Sequence, residues 1–471
     1  MPPKDFHFGG GPTESTIYPL VVIALLVVCG LILARPRRTL LLPFLWLVIL
    51  TPNNQQLYLG GMHWSVLRIA VLFGCIRLVI ERIRGNRKLF AAGITGIDWA
   101  VFGSELGLCI APILLYRTPA IIPTQAGTLF QDVGGYLLLR FLIQDEKDIR
   151  HLIRGMAPLA LTLGLCMLGE QIFRVNVFGV LQTVPFAPIL RNGIVRAQAG
   201  FAHPILAGCV GATLAPLFYW LWRLGGSRKL AIVGITGSLL MVGASASSTP
   251  ALGFAGGILA LCLWPVRRWM RQLRWGMALI ILGLQIAMKA PVWFLIARVN
   301  VTGSSDSYDR AKLIDTCVQH FHDWWLIGAD SSKWGWDMWD LSNRFVGVAE
   351  TGGLISLVLF ILVISRAFGR LGKARKRVAG NPRQEWLVWS LGAVLFAHIL
   401  CYIGVSYFDQ TVVWWFATLA AIVAAGTFRG KLPYSLKVVA RQQKLPRAEQ
   451  QRPLAPQLPG ASASAASIFS L

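Results

Sequence analysis

Apolar runs separated by short polar connections dominate this chain. A helix that crosses a bilayer needs about 20 apolar residues, and fewer where it is broken or re-entrant. The runs predict thirteen spans, of which the second and the fifth are short: 17–34, 39–51, 64–81, 97–116, 129–144, 156–173, 203–222, 230–246, 250–265, 276–296, 353–369, 386–406 and 411–428. We therefore expect an all-α polytopic membrane protein with about 12–13 transmembrane helices and one large structured loop.

The basic residues of the connections indicate an orientation. Lys and Arg form patches at 35–38, 82–88, 267–274 and 366–377, which all fall on alternate connections. Cytoplasmic loops are enriched in Lys and Arg, so these patches place the N-terminus and the loop 297–353 outside the cytoplasm.

The composition agrees with a membrane protein, because 55% of the 471 residues are hydrophobic and 14% are charged. A formal net charge of +24 is high enough to suggest nucleic acid. The charge lies in the short patches between spans, however, where it meets anionic lipid headgroups. Membrane lipids are therefore expected partners, and nucleic acid is not. The sequence has no Cys or His spacing typical of zinc sites, so we expect no metal and no cofactor.

The pattern divides the chain into four parts. Residues 1–296 hold spans with short loops, 297–353 form the large outer loop, and 354–430 hold the last spans. Residues 431–471 are rich in Pro, Ala, Ser, Gln and Arg, which predicts a disordered basic tail in the cytoplasm.

The outer loop contains its own amphipathic helix, predicted over about 307–322. Its apolar face carries Arg310 together with Ile314, Cys317 and Phe321. Its polar face carries Lys312, Asp315 and Gln319. A cation beside apolar groups needs an anionic partner, since an unpaired buried charge is costly. Asp306, Asp309 and a phosphate-bearing ligand are the candidates, and the sequence leaves the choice open.

Arginines on the outer side run against the bias that places positive charge inside. They are Arg191, Arg196, Arg298, Arg310 and Arg344. Each either snorkels at the interface or binds an anionic ligand. Arg196 precedes an aromatic residue and the pair His203-Pro204, which opens the next span. Two guanidinium groups from separate loops are able to clamp a diphosphate bidentately.

Tryptophans alternate with carboxylates in the segment 322–343. They include Trp325, Trp336 and Trp339, with Asp330 among the acids. One interpretation is an interfacial aromatic belt. The other is a carbohydrate site, in which sugar rings stack on indoles while the acids bind hydroxyls.

Ionisable residues inside predicted spans are functional candidates by default. They include Asp98, Glu105, Arg140 and Glu170. The simplest expectation is that Arg140 pairs with Glu105 or Asp132 inside the helix bundle.

The C-terminal half of the chain resembles the O-antigen ligase and O-antigen polymerase family of bacterial cell-envelope membrane proteins. The resemblance lies in three segments: RAQAGFAHPILAG at 196–208, SYDRAKLIDTCVQHFHDWWLIGAD at 307–330, and DLSNRFVGVAETGGLISLVLFIL at 340–362. The first half of the chain is similar to the family in its hydropathy alone.

The resemblance implies a helical fold related to the C-type glycosyltransferases, in the bacterial inner membrane with the active loop on the periplasmic side. It implies inverting, metal-independent transfer of a glycan from an undecaprenyl-diphosphate-linked donor to a glycan or lipid acceptor. Other proteins of polysaccharide assembly are candidate partners. Arg196 and Arg310 fall where the family places its diphosphate-binding arginines. Ligases of the family usually show a His-Asn pair before the closing span, whereas this chain has Ser342-Asn343, which favours a polymerase or exopolysaccharide transferase.

The function expected is therefore polymerisation or ligation of glycan repeats in O-antigen, lipopolysaccharide or exopolysaccharide biosynthesis. The catalytic candidates are Arg310, His203, Asp309, Asp330 and Asn343. The substrate-binding candidates are Arg191, Arg196, Arg310, Trp325, Trp336 and Trp339. The alternative is a transporter or flippase for lipid-linked sugars, which needs polar residues along a path through the membrane rather than at one face.

Overall fold

Each predicted span overlaps a helix in the computed structural model, which describes residues 14–85, 89–191, 193–298, 306–334 and 343–428. The span predicted at 276–296 is too long, because the helix there ends at Ala287. The helices are α1 (Pro19–Ala34), α2 (Arg37–Leu50), α3 (Val66–Ile83), α4 (Gly96–Tyr116), α5 (Ile121–Leu142), α6 (Glu146–Phe173), α7 (Pro204–Arg223), α8 (Arg228–Ala244), α9 (Ser248–Cys262), α10 (Met270–Ala287), α11 (Leu295–Arg298), α12 (Asp306–Gln319), α13 (Phe321–Trp324), α14 (Arg344–Arg377), α15 (Pro382–Gly404) and α16 (Gln410–Ala425). Single 3-10 turns occur at Val177–Leu181, Trp264–Val266, Val292–Phe294 and Ser331–Lys333. The tail predicted over 431–471 lies outside the described residues.

Five of these helices, α4, α6, α7, α14 and α15, are long and apolar enough to cross a membrane. Large apolar side chains also cover the outer surface. On α10, Leu279, Ile280 and Ile286 are each more than 60% exposed. A contiguous apolar exterior of this kind suits lipid rather than water. The fold therefore supports a multi-pass membrane protein.

Besides the helices, the described residues form two small β-hairpins, so the fold is mostly helical. Strand β1 (Gln56–Leu59) pairs antiparallel with β2 (Met62–Ser65), and β3 (Ile189–Arg191) pairs with β4 (Ile194–Arg196). Gly60 and Gly61 turn the first hairpin with φ of 60° and 75°. Such two-residue turns need positive φ, which glycine adopts at no steric cost.

Helix α5 begins eight residues before the span predicted at 129–144. Its first turns carry Thr124, Gln125 and Thr128, which line an internal cavity described below. A criterion based on apolar residues alone therefore cuts this helix short.

The starts of α2, α4 and α6 and the second half of α14 meet at one end of the bundle, here called the basic end. Arg37 Nη1 lies 2.8 Å from Asp148 Oδ2 and joins the starts of α2 and α6. Arg366 Nη1 donates to Gly96 O at 3.1 Å and joins α14 to the start of α4. Contacts of this kind place basic patches that are far apart in sequence on one side, as the alternation of patches predicts.

The opposite end, here called the distal end, is held together by hydrogen bonds between connections. Asn53 N–H donates to Gly200 O at 3.2 Å, and Ala197 N–H donates to Ala244 O at 3.0 Å. The side chain of Gln410 donates to the same Gly200 carbonyl at 3.0 Å. The connections that carry the predicted site residues are therefore packed together.

Arg140 pairs with Asp98 and not with Glu105 or Asp132, which corrects a second expectation. Arg140 Nε lies 2.8 Å from Asp98 Oδ1, and both side chains are 2% exposed. The Tyr136 hydroxyl donates to the same oxygen at 2.5 Å. Since α4 and α5 are antiparallel neighbours, Glu105 and Asp132 lie about two helical turns nearer the distal end.

The described part of the outer loop packs around a small core of its own. This core consists of Leu313, Cys317, Trp324, Val346 and Ala349. The predicted helix over 307–322 is interrupted at His320, where α12 gives way to α13. Phe321 consequently turns away from the buried face and is 38% exposed.

The loop docks on α14 through its backbone. Ala329 N–H donates to Glu350 O at 2.9 Å, and Leu354 N–H donates to Trp325 O at 2.9 Å. Gly353 interrupts α14 with φ of 72°, and a Cβ atom there would lie 2.6 Å from Leu326 O. Glycine is therefore required at this close backbone approach.

Candidate functional site

The connection between α6 and α7, which carries Arg196, and the outer loop, which carries Arg310, both contact the turn between α8 and α9. This turn, residues 244–249, is here called the α8–α9 turn. Ala197, next to Arg196, donates its N–H to Ala244 O at 3.0 Å. Arg310 Nη1 lies 3.4 Å from Ser248 Oγ. The backbone next to Arg196 and the side chain of Arg310, 114 positions apart in the chain, thus both contact this short turn.

Both arginines are buried. Arg196 is 6% exposed and Arg310 is 8% exposed. A guanidinium in such surroundings requires compensation, because removing a cation from water without a partner is costly. The two side chains are therefore not ordinary surface residues, and each interacts with other groups of the protein.

The position of Arg196 is fixed by its hairpin and by a carboxylate of α6. Arg196 opposes Ile189 across the β3–β4 pair. Glu170, fully buried, accepts hydrogen bonds from the N–H groups of Gln198 at 3.1 Å and Ala199 at 2.9 Å. Glu170 is thereby a positioning residue for the segment that follows Arg196.

Arg310 is positioned by the packing of α12. Leu313 and Cys317 are buried on the same side of the helix as Arg310. On the other side, Asp315 accepts a hydrogen bond from Trp293 Nε1 at 3.3 Å. The predicted division into two faces is confirmed for Arg310 and Cys317, which are buried, and for Gln319, which is exposed.

Two of the predicted catalytic residues cap helices at the distal end. His203 Nδ1 accepts the N–H of Ile205 at 3.2 Å at the start of α7. Asn343 Oδ1 accepts the N–H of Phe345 at 2.9 Å at the start of α14, and its Nδ2 donates to Ile403 O at 3.4 Å. Capping accounts for the Asn343 side chain and for Nδ1 of His203.

The remaining predicted residues lie on the loop or on β3. Asp330 is exposed and accepts Ser332 N–H at 3.2 Å, and Trp325 is 45% exposed. Asp309 and Arg191 are half-buried. Trp336 and Trp339 lie outside the described residues.

A large cavity of about 1190 Å³ opens at the distal end beside this region. It is bounded by the β1–β2 hairpin, α4, α5, the start of α14 and residues 407–412. The ionisable side chains that line it are Glu14, His63, Arg68, Glu105, Asp132, Arg344, Tyr58, Tyr407, Cys109 and Asp409. Of the described residues predicted for the site, none lines this cavity.

Opposite charges face each other in the cavity. Arg344 lies within electrostatic range of Glu105 and Asp132, and its guanidinium carbon is 5.6 Å from the centre of the Phe360 ring. Burial raises the pKa of the Asp409 carboxyl to about 6. In the sequence, Glu105 and Asp132 are ionisable residues within apolar runs. In the structure, the antiparallel register of α4 and α5 places them away from Arg140 and on the cavity wall.

Tyr407 connects the cavity to the surroundings of Arg310. Tyr407 lines the cavity, and its hydroxyl lies 3.1 Å from His398 Nδ1. It also lies near Cys209, which is within electrostatic range of Arg310. The cavity and the arginine pair are therefore neighbouring features of the distal end.

A scan against protein-family models finds no match to this chain, and a search of curated proteins finds no matching relative. Within the described ranges, no three His, Cys, Asp or Glu side chains are grouped so as to hold a metal ion. The function is accordingly argued from the fold and the residues themselves.

Proposed function

We propose that this protein is a membrane glycosyltransferase that polymerises or ligates glycan repeats from an undecaprenyl-diphosphate-linked donor at the periplasmic face of the bacterial inner membrane. The observation that supports the proposal is that Arg310 and the backbone next to Arg196 contact the same α8–α9 turn. Two buried guanidinium groups from distant segments suit the two phosphates of one diphosphate.

The position of the pair along the bundle supports the proposed face. The arginines lie at the distal end, away from the basic end that the positive-inside rule assigns to the cytoplasm. A periplasmic donor site needs this arrangement, because the lipid-linked glycan is used after it has crossed the membrane.

The reaction proposed is a displacement at the anomeric carbon of the donor sugar. An acceptor hydroxyl oxygen forms a bond to that carbon, and the bond from the carbon to the phosphate oxygen breaks. The bonding electrons leave with undecaprenyl diphosphate, and the hydroxyl proton passes to a base. Arg196 and Arg310 stabilise the negative charge that grows on the leaving group. His203, Asp309 and Asp330 are the candidate bases, and Ser342 in place of the ligase histidine favours polymerisation.

Product formation by purified protein in detergent tests this proposal. A lipid-linked oligosaccharide is supplied, and the elongated or transferred product is measured by mass spectrometry. We expect turnover without a sealed membrane, since catalysis needs no sidedness. Replacing Arg196 or Arg310 by Ala is expected to reduce turnover by at least about 100-fold.

Matched variants separate charge from geometry. Arg310→Lys keeps the charge but loses the planar fork, so an intermediate loss is expected. Arg174→Ala is the control, because Arg174 is an exposed arginine of the same connection as Arg196. Full turnover in the Arg196→Ala and Arg310→Ala proteins, or transfer of the lipid between leaflets without any new glycosidic bond, would overturn the proposal in favour of a flippase.

A further inference from the structure

The distal cavity has no part in the proposed diphosphate site and is larger than that site needs. Its volume of about 1190 Å³ exceeds the roughly 300–1,000 Å³ typical of pockets for small ligands. A cavity of this size holds more than one sugar ring.

The composition of the cavity wall disfavours an anionic ligand. The wall carries the two arginines Arg68 and Arg344 against the four acids Glu14, Glu105, Asp132 and Asp409. A diphosphate would meet more carboxyl groups than guanidinium groups there. The arginine pair at the α8–α9 turn is the better site for phosphate, which leaves the cavity for a different ligand.

The neutral groups on the wall suit hydroxyls. Side-chain amides and hydroxyls, among them Gln125, Thr128 and Gln131, offer both donors and acceptors. Gln131 Oε1 accepts a hydrogen bond from Ser65 Oγ at 2.9 Å, which fixes its orientation. The rings of Tyr58 and Phe408 add apolar faces on which a sugar ring can pack.

We infer that this cavity binds a polyhydroxylated carbohydrate chain, the acceptor glycan of the proposed transfer. Glu105 and Asp132 accept hydrogen bonds from its hydroxyl groups, and Arg344 balances their charge. The role as acceptor rests on the proposed function, whereas carbohydrate binding by the cavity does not. Tyr407 lies on the cavity wall and near Cys209, which is close to Arg310. An acceptor bound in the cavity would therefore lie next to the donor site.

Saturation-transfer NMR on protein in lipid nanodiscs tests the inference. The probes are oligosaccharides released by partial acid hydrolysis from the polysaccharide of cells that make the protein. We expect saturation transfer to these oligosaccharides with the wild-type protein. The affinity should fall at least about tenfold in Glu105→Gln and Asp132→Asn, because each loses a hydrogen bond to a charged group.

A cavity-filling variant guards against loss of folding. Thr128 is exposed to the cavity, so Thr128→Trp occupies space there without disturbing packing, and it should weaken binding comparably. The controls are Thr39→Trp at the basic end and Asp323→Asn on the outer loop, both at exposed positions, and both should bind as the wild type does.

The outcomes separate this inference from the proposed function. Binding that is lost in the cavity variants and kept in Arg196→Ala supports the cavity as the carbohydrate site, even if no turnover is found. Turnover without oligosaccharide binding, or binding that is unchanged in Glu105→Gln, Asp132→Asn and Thr128→Trp, overturns the inference and leaves the donor site untouched.

Discussion

Arg310 Nη1 lies 3.4 Å from the Oγ atom of Ser248, so a residue of the outer loop is held against the start of α9. A hydroxyl is a weaker acceptor for a guanidinium than an anion is. Under the proposed function the anion is the donor diphosphate, and an introduced carboxylate would compete with it.

Ser248→Asp should therefore weaken diphosphate binding at the donor site. The new carboxylate pairs with Arg310 and competes with the diphosphate, so turnover should fall at least about tenfold. An acid in the first turn of α9 also favours the helix dipole, so the midpoint of thermal unfolding should not fall.

The neutral isostere Ser248→Asn provides the comparison. It adds the same volume without the charge and should retain turnover within a few-fold of the wild type. Equal activities of the Ser248→Asp and Ser248→Asn proteins would show that Arg310 does not need an external anion.

The buried pair of Asp98 and Arg140 predicts a stability effect without a functional one. Arg140→Ala leaves a buried carboxylate unpaired and should lower the free energy of unfolding by about 3–5 kcal/mol. The double variant Asp98→Ala, Arg140→Ala should lose less than the two single variants together. Thermal unfolding of the detergent-solubilised proteins measures both effects, and additive losses would argue against coupling.

Two glycines predict how firmly the outer loop is docked. Gly328 has φ of 78°, and a Cβ atom there would lie against Glu350 O, while Gly353 faces Leu326 O in the same way. Alanine at either position should detach the loop at a cost of about 1–3 kcal/mol. Limited proteolysis within residues 306–334 should become faster.

Gly369 and Gly372 of the same helix serve as controls. A Cβ atom at either position has no described atom within 4 Å, and alanine is the better helix former by about 1 kcal/mol. If Gly369→Ala increased cleavage of the loop as much as Gly353→Ala does, the docking contact would not be the cause.

Asp409 predicts a dependence of stability on pH. Because burial raises the pKa of its carboxyl to about 6, the native state favours the protonated form. Its contribution to stability is full below the ordinary pKa and is lost as pH rises through about 6. Asp409→Asn should gain up to about 3 kcal/mol over the wild type between about pH 4 and pH 7.

Asparagine keeps the backbone at this position. Asp409 has φ of 52°, and asparagine tolerates positive φ as well as aspartate does. Thermal unfolding measured across this pH range should show the wild type falling behind the Asp409→Asn protein. A constant difference between the two would contradict a buried, protonated Asp409.

The helices follow from the sequence because apolar runs bounded by basic patches leave few alternatives. The face of α12 that carries Arg310 follows from helical periodicity in the same way. The hairpins and the early start of α5 do not follow from the sequence. Thr124, Gln125 and Thr128 are polar because they line the cavity, whereas the sequence pattern assigns polar residues to a connection in water.

The cavity could not be predicted, because its wall joins residues from five separate segments. The sequence identifies Glu105 and Asp132 as ionisable residues within apolar runs. Where they lie in the bundle, however, depends on which acid pairs with Arg140. The antiparallel register of α4 and α5 decides this point, and a count along the two helices from Asp98 and Arg140 would have found it.

Binding of undecaprenyl diphosphate itself tests the central claim most directly, because it involves neither the acceptor nor the base. Native mass spectrometry of the protein released from detergent measures the bound fraction. Arg196→Ala and Arg310→Ala should each lower the affinity at least about tenfold, while Arg174→Ala and Asp132→Asn should bind as the wild type does. Wild-type binding by both arginine variants would contradict the account.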